Sequence, residues 1–322
     1  MNTIQPEPPA QPPAVFLMGP TASGKSGLAV KLAHALNGEI ISVDSALVYR
    51  DMNIGTAKPT QAEREGITHH LIDILDPRES FSTGQFKTQT YALIADISRR
   101  GKLPILAGGT MLYFNALSNL APLPEADESV RAKLDQQFAE FGKDAMHQRL
   151  ALIDPESAAR IHPNDPQRLQ RALEVYELTG KPLSRFFQEA QASPLPFNPI
   201  KLVVAPPDRK LLHEQIAKRF RHMLAQGLVE EVEALYRRGD LTEKMPAIRA
   251  VGYRQVWAYL KGEDDYTAMT EKAIAATRQL AKRQFTWLRR ETEAAHFNSD
   301  DAALLSQMLA HIEAELNHTA GT

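Results

Sequence analysis

From Ala14 onward the chain alternates short, wholly apolar runs with longer stretches whose apolar residues recur every three or four positions. Ala14-Val-Phe-Leu-Met18 reads as a buried strand and Gly19 to Ser26 as a turn. Gly27 to Leu36 has helical spacing through Leu28, Leu32, Ala35 and Leu36. Glu39 to Val43 is a second strand. Lys102 to Ala107 is another, closed by Gly108 and Gly109. Strands alternating with helices predict a parallel sheet covered on both faces, an α/β fold.

The pattern shifts near Ala121-Pro-Leu-Pro124. From residue 123 to 199 the sequence is polar and helical, with helices expected at Asp127 to Phe141, Lys143 to Ile153 and Pro166 to Thr179. This stretch reads as a helical insertion, bordered by the loop Ser193-Pro-Leu-Pro-Phe-Asn-Pro199. Lys201 to Ala205 returns the chain to the sheet. Helices follow at Arg209 to Gln226, Leu228 to Arg238, Ala247 to Leu260 and Asp265 to Arg290. The expected organisation is a flexible tail (1–13), an α/β core with C-terminal helices (14–122 and 200–297), the insertion (123–199) and an acidic polar tail (298–322).

Composition narrows this picture. The 322 residues are 43% hydrophobic and 24% charged, ordinary for a globular chain of about two domains. The absence of cysteine excludes disulfides, thiolate metal sites and a cysteine nucleophile. The longest apolar runs are too short to span a bilayer. Met1 to Pro13, rich in proline and glutamine, lacks the basic start and apolar stretch of a signal peptide, so a cytosolic protein is expected. With no heptad run, a monomer is expected. The net charge of -2 argues against a chain-wide nucleic-acid binder. Yet Arg278 to Arg290 carries Arg278, Lys282, Arg283, Arg289 and Arg290 without an acid, and a local basic stripe suffices to bind phosphates. A solvated helix face explains the run equally well.

The strongest chemical signal is Gly19-Pro20-Thr21-Ala22-Ser23-Gly24-Lys25-Ser26, which fits G-x-x-x-x-G-K-[ST] between a buried strand and an amphipathic helix. Its backbone N–H groups and the helix N-terminus would cradle a phosphate. Lys25 would neutralise terminal oxygens, and the Ser26 hydroxyl suits Mg²⁺. The motif specifies a polyphosphate, ATP included, without saying which. Hydrolases and kinases add an acid at the end of a later strand. Here the strand ending at Ala107 runs into Gly108-Gly109-Thr110 and offers none. The acid stands at Asp44, at the carboxyl edge where open α/β sheets bind ligands, and suits a general base. Alternatively Asp44 caps a helix from Ser45. Thr110 would orient Asp44 or a substrate, or cap the next helix. Neighbouring His69 and His70 would point apart rather than share a metal. Trp257 and Trp287 read as core residues.

Several further segments join these. Ser42-Val-Asp-Ser-Ala46, Asn53-Ile-Gly-Thr-Ala-Lys-Pro59, Ile161-His-Pro-Asn-Asp-Pro-Gln-Arg-Leu169, Arg249-Ala-Val-Gly-Tyr-Arg254 and Arg278-Gln-Leu-Ala-Lys-Arg-Gln284, with the phosphate loop and Gly108-Gly-Thr110, resemble the bacterial tRNA dimethylallyltransferases. The likeness runs from about Ala14 to Arg290. Ser26 replaces the threonine of many members and keeps the hydroxyl.

The resemblance implies a P-loop-type parallel sheet with a helical insertion domain. It implies transfer of a dimethylallyl group from dimethylallyl diphosphate to N6 of the adenosine immediately 3′ of the anticodon, with Mg²⁺. On it, Gly19 to Ser26 hold the diphosphate, Asp44 accepts the N6 proton, and Arg219, otherwise one cation of a solvated face with Lys218 and Arg221, binds diphosphate oxygens. The segments matched to tRNA contact, at the anticodon stem-loop, comprise Asp44, Ser45, Ala46 and Leu47, then Gln167, Arg168, Leu169, Gln170 and Arg171. They continue with Arg249, Ala250, Val251, Gly252, Tyr253 and Arg254, and finally with Lys282, Arg283, Gln284, Phe285, Thr286, Trp287, Leu288 and Arg289. Three rivals remain open at this stage: a small-molecule kinase, a prenyltransferase acting on free AMP, and a non-catalytic RNA-binding module.

Overall fold

The computed structural model describes residues 11–119, 123–191 and 194–320. In chain order the elements are β1 (Pro13–Met18), α1 (Lys25–Ala35), β2 (Gly38–Val43), α2 (Gln61–Arg64), β3 (His69–His70), α3 (Thr83–Arg99), β4 (Leu103–Gly108) and α4 (Met111–Asn119). Then come α5 (Glu128–Ile153), α6 (Pro155–Arg160), α7 (Pro166–Thr179), α8 (Leu183–Gln191) and β5 (Asn198–Ala205). The chain closes with α9 (Arg209–Ala225), α10 (Leu228–Arg237), α11 (Tyr253–Leu260), α12 (Tyr266–Leu288), β6 (Ala295–Asn298) and α13 (Leu304–Ala320).

The strands form one parallel sheet in the order β3-β2-β4-β1-β5-β6. Apolar residues of β1 go to both faces, as a strand covered on both sides requires. Val15 and Leu17 join Leu28 and Leu32 of α1, while Phe16 faces Phe114, with ring centroids 5.4 Å apart. The residues divide into two compact units, 1–114 with 196–322, and 115–195. The second has its own core, in which Leu134, Met146 and Leu150 of α5 meet Leu169 and Leu173 of α7. The break expected between Phe141 and Lys143 lies at Gly142, whose φ of 77° and ψ of 165° interrupt α5.

Several boundaries differ from the sequence reading. Residues 298–322, read as an acidic polar tail, finish β6 and form α13 as far as residue 320. Met308 and Ile312 are fully buried against the α1 face of the sheet, with Leu304, Leu305 and Leu309 packed around them. Each such buried side chain contributes roughly 1.5–3 kcal/mol, so this apolar stripe outweighs the acids on the opposite side. Residues 247–252, expected as the first turn and a half of a helix, are irregular. Gly252 has φ 96° and ψ -62°, and α11 starts only at Tyr253. Asn198 and Pro199, read as loop, open β5. Of the tail 1–13, residues 1–10 lie outside the described residues, and Pro13 opens β1.

Candidate active site

The register of the sheet fixes the site. Met18 of β1 and Val43 of β2 both pair with Gly108 of β4, so three strands end on one rung. Adjacent strands lie roughly 5 Å apart, so the segments that follow, Gly19–Ser26, Asp44–Leu47 and Gly109–Thr110, start as neighbours. The phosphate loop closes on Gly24 in the left-handed region (φ 77°), which lets α1 begin at Lys25 with its N–H groups turned to the loop.

Lys25 is half-buried, its Nζ donating to the Pro20 carbonyl at 2.5 Å and lying 3.4 Å from Ser23 Oγ. Burial, and then the nearby Arg219 guanidinium, push its pKa down to about 7, with Asp44 opposing. Arg219, half-buried on α9, is itself lowered by burial and raised by Asp44. Loop, carboxylate and guanidinium therefore share one electrostatic environment.

Asp44 Oδ1 accepts hydrogen bonds from the Ala46 (2.8 Å) and Leu47 (3.4 Å) N–H groups. No helix starts at Ser45, so the carboxylate closes a turn instead of capping a helix. Thr110 receives the Ser45 N–H on its Oγ1 at 3.1 Å, while its own N–H donates to Val43 at 3.1 Å. It ties the segment carrying Asp44 to the end of β4.

These groups line a cavity of about 660 Å³, within the usual range for ligand sites. Of the residues singled out in the sequence, it gathers Thr21 to Ser26, Asp44 to Leu47, Thr110, Arg219, Arg249 to Gly252, Arg283, Gln284 and Trp287. Gly19 and Pro20 are buried beneath the loop. Trp257 is buried in the helical core as expected, whereas Trp287 is half-buried and faces the cavity.

Other residues matched to RNA contact are inward. Leu169, Tyr253 and Leu288 are buried, and Phe285 packs against the helical core. Arg171 is paired with the buried Glu174 and donates to the Pro124 carbonyl at 2.6 Å, and Gln170 donates to Asp135 at 2.6 Å. Exposed are Ser45, Gln167, Arg168, Arg249, Arg254, Lys282, Arg283, Thr286 and Arg289. His69 and His70 turn to separate partners, the Ile67 carbonyl and Glu39.

Some participants carried no sequence signal. The Glu231 carboxylate accepts three successive N–H groups, from Asn53, Ile54 and Gly55 (2.9, 2.8 and 3.1 Å), and the Tyr253 hydroxyl at 2.5 Å. It thus fixes the segment whose Gly55, Thr56 and Ala57 form a wall of the cavity. In the sequence Glu231 is merely one of two adjacent acids on a helix. Ile216, Phe220 and Met223, spaced along α9 around Arg219, form an apolar side of the same cavity.

A profile of the IPP transferase family matches residues 47–291. The tRNA dimethylallyltransferase of Methylococcus capsulatus is 59% identical over 306 residues, covering 95% of this chain and 98% of its own. The crystal structure of the tRNA isopentenylpyrophosphate transferase of Bacillus halodurans superimposes with a TM-score of 0.71 at 37% identity, covering 97% of this chain and 98% of that one. A eukaryotic dimethylallyltransferase acting on tRNA gives a TM-score of 0.81 at 30% identity, over 95% of this chain and 80% of the other. With similarity this long and this continuous, the chain belongs to the tRNA dimethylallyltransferase (IPP transferase) family.

Proposed function

We propose that this chain transfers the dimethylallyl group of dimethylallyl diphosphate to N6 of the adenosine immediately 3′ of the anticodon in tRNA, releasing diphosphate. The observation that carries the reading is the meeting, in one cavity, of an anion cradle ending at Lys25 and Ser26 with the carboxylate of Asp44. An aromatic exocyclic amine is a weak nucleophile because its lone pair is delocalised into the ring, so transfer needs a stabilised leaving group and removal of a proton. As the N6–C1 bond forms, the C1–O bond breaks and its electron pair leaves with diphosphate. The N6 proton passes to Asp44, whose Oδ2 is not the oxygen that Ala46 and Leu47 engage. A positioned base of this kind contributes typically about 10²–10⁴-fold. Lys25, Arg219 and the loop N–H groups meet the charge growing on the leaving oxygens. Ile216, Phe220 and Met223 supply an apolar side for the prenyl chain.

The donor set fits Mg²⁺. Ser26 offers a hard hydroxyl oxygen at the cavity, and among the described residues no cluster of three or more histidines, cysteines or acids forms a metal cage of its own. Mg²⁺ habitually binds through one or two protein oxygens plus phosphates. Bound there, it would neutralise diphosphate charge.

A stacked base cannot reach such a cavity, so the adenosine is extruded, at modest cost in a single-stranded loop. The exposed cations Arg168, Arg249, Arg254, Lys282, Arg283 and Arg289 would take the RNA backbone, positioning it without reading sequence. We place the reaction in the cytoplasm, with the protein acting as a monomer. The test is incubation with labelled dimethylallyl diphosphate, Mg²⁺ and tRNA, AMP or no acceptor. Label is expected in tRNA alone. Label in AMP but not in tRNA, or phosphate transfer from labelled ATP without prenyl transfer, overturns the reading.

A further inference from the structure

Gln284 stands in the basic stretch of α12 that the sequence matched to RNA contact, but its side chain is directed inward. It is only 7% exposed. Its Oε1 accepts the N–H of Thr21 in the phosphate loop at 2.9 Å, and its Nε2 donates to the Gly109 carbonyl at 2.8 Å. One carboxamide therefore closes a bridge between two segments far apart in sequence, the diphosphate cradle and the turn after β4. Gly109 makes room for it, since a Cβ at that position would lie 2.5 Å from Gln284 Nε2. Both polar ends of the amide are satisfied by backbone groups. A carboxamide suits both because it carries a donor and an acceptor on one planar group.

We infer that Gln284 is a positioning residue of the diphosphate cradle, holding the Thr21 end of the loop against Gly109, and that it contacts RNA little or not at all. This inference rests on the proposed diphosphate site and deepens it. The bridge orders the cradle before the anion arrives, so its loss is felt as weaker diphosphate binding. It also starts from α12 itself, between the exposed Arg283 and the half-buried Trp287, so the helix proposed to meet RNA is the helix that holds the loop.

The test uses the full chain and inorganic diphosphate with Mg²⁺, followed by calorimetry, so it does not depend on prenyl transfer. Gln284→Ala should weaken diphosphate binding by about tenfold, the scale of one or two buried hydrogen bonds, and raise the KM for dimethylallyl diphosphate alike. The Kd for tRNA should stay within about twofold. Gly109→Ala breaks the same bridge from the other side, by evicting the amide, and should give the same loss. The double variant should be no worse than either single one. Gln284→Glu keeps the acceptor for Thr21, but it brings a negative charge to the cradle and loses the donor. It should therefore bind diphosphate more weakly than Gln284→Ala, the reverse of the order expected if Gln284 served packing alone. The inference is overturned by unchanged diphosphate affinity in Gln284→Ala, by an equal loss of tRNA affinity, or by additive losses in the double variant. Should Gln284→Ala not fold, the ordering of Gln284→Glu and Gly109→Ala decides in its place. Normal diphosphate binding with intact prenyl transfer sinks this inference alone, whereas a wild-type chain that never prenylates tRNA sinks the function.

Discussion

Strand β2 carries an acid near each end, and the two are treated in opposite ways. Glu39, at the start, is buried and saturated: Arg100 grips both its oxygens, Lys102 donates at 2.9 Å and His70 lies at 2.8 Å. The Arg100 hydrogen bonds above all, with His70 and Lys102, hold its carboxyl far below the usual carboxylate range, against the effect of burial. Asp44, just past the other end, is half-exposed and has backbone donors on Oδ1 only, while Lys25 and Arg219 act on it through the field of the cavity. A carboxylate whose lone pairs are all engaged by cations is a rivet; it joins β2 to β3 and to the start of β4. One that is held in place by a single oxygen keeps lone pairs with which to take a proton. On the proposed reading, the number and kind of donors on each acid, more than its depth, decide which one holds the fold and which one is left to react.

The sharpest way to break this contrast is to remove charge at the carboxyl edge while keeping shape. Asp44→Asn retains an oxygen for the Ala46 and Leu47 N–H groups but is no base. Single-turnover transfer to tRNA should fall by about 10²–10⁴-fold, with tRNA affinity and melting temperature nearly unchanged. A variant that unfolds early or loses tRNA, yet turns over normally when saturated, would make Asp44 a second rivet.

At the other end the expectation is reversed. Glu39→Gln leaves the partly exposed Arg100 and Lys102 without the carboxylate that gathers them and weakens the charge-assisted hydrogen bonds on a buried side chain, and should cost roughly 2 kcal/mol in denaturant unfolding. Turnover of the folded protein should be untouched. The pH dependence carries its own sign. The folded pKa of Glu39 lies below its unfolded value of 4.5, so its contribution is present above about that pH and is lost as pH falls further. Wild-type stability should therefore drop in acid more steeply than that of Glu39→Gln. Parallel curves would remove Glu39 from this role.

How much of the contrast was legible in the sequence differs residue by residue. The meeting of the glycine-rich loop and Asp44 at one cavity was readable because their placement is bound to local order: a strand, a glycine-rich turn, a helix, then an acid after the next strand. Helix α3 was also readable but overlooked. Ser82 and Gln85 form a capping box, with Gln85 N–H to Ser82 Oγ at 3.1 Å and Ser82 N–H to Gln85 Oε1 at 2.8 Å, and the Ser-x-x-Gln spacing announces it. Glu39, Glu231 and Gln284 were not readable. Each acts on partners tens to hundreds of positions away, and only strand order and helix packing bring these together. Strands β3 and β6 are the sheet's edges, of two and four residues, too short for any periodic pattern. Helix α13 hid because its apolar stripe lies within a stretch whose charge balance suggested a tail.

The smallest effect concerns the loop cation whose pKa Asp44 helps to hold up. With its pKa pushed down to about 7 by burial and by Arg219, Lys25 gives up part of its charge near neutral pH, and a bound diphosphate would restore its proton. Binding is therefore linked to proton uptake. As pH rises from 7 to 9, the Kd for inorganic diphosphate should increase by up to about tenfold per unit from this group alone, until the raised pKa of the complex is reached. Diphosphate has ionisations of its own, so the reference is Lys25→Arg, whose guanidinium stays charged throughout. That variant should bind less well at pH 7, because the bulkier planar guanidinium does not fit where the compact ammonium sits beside Pro20 and Ser23, but with a slope shallower by nearly one proton. Equal slopes would mean that Lys25 is already charged before diphosphate binds. The carboxylate would then face a permanent ammonium, and Asp44 would resemble the acid at the other end of its strand more than the two environments suggest.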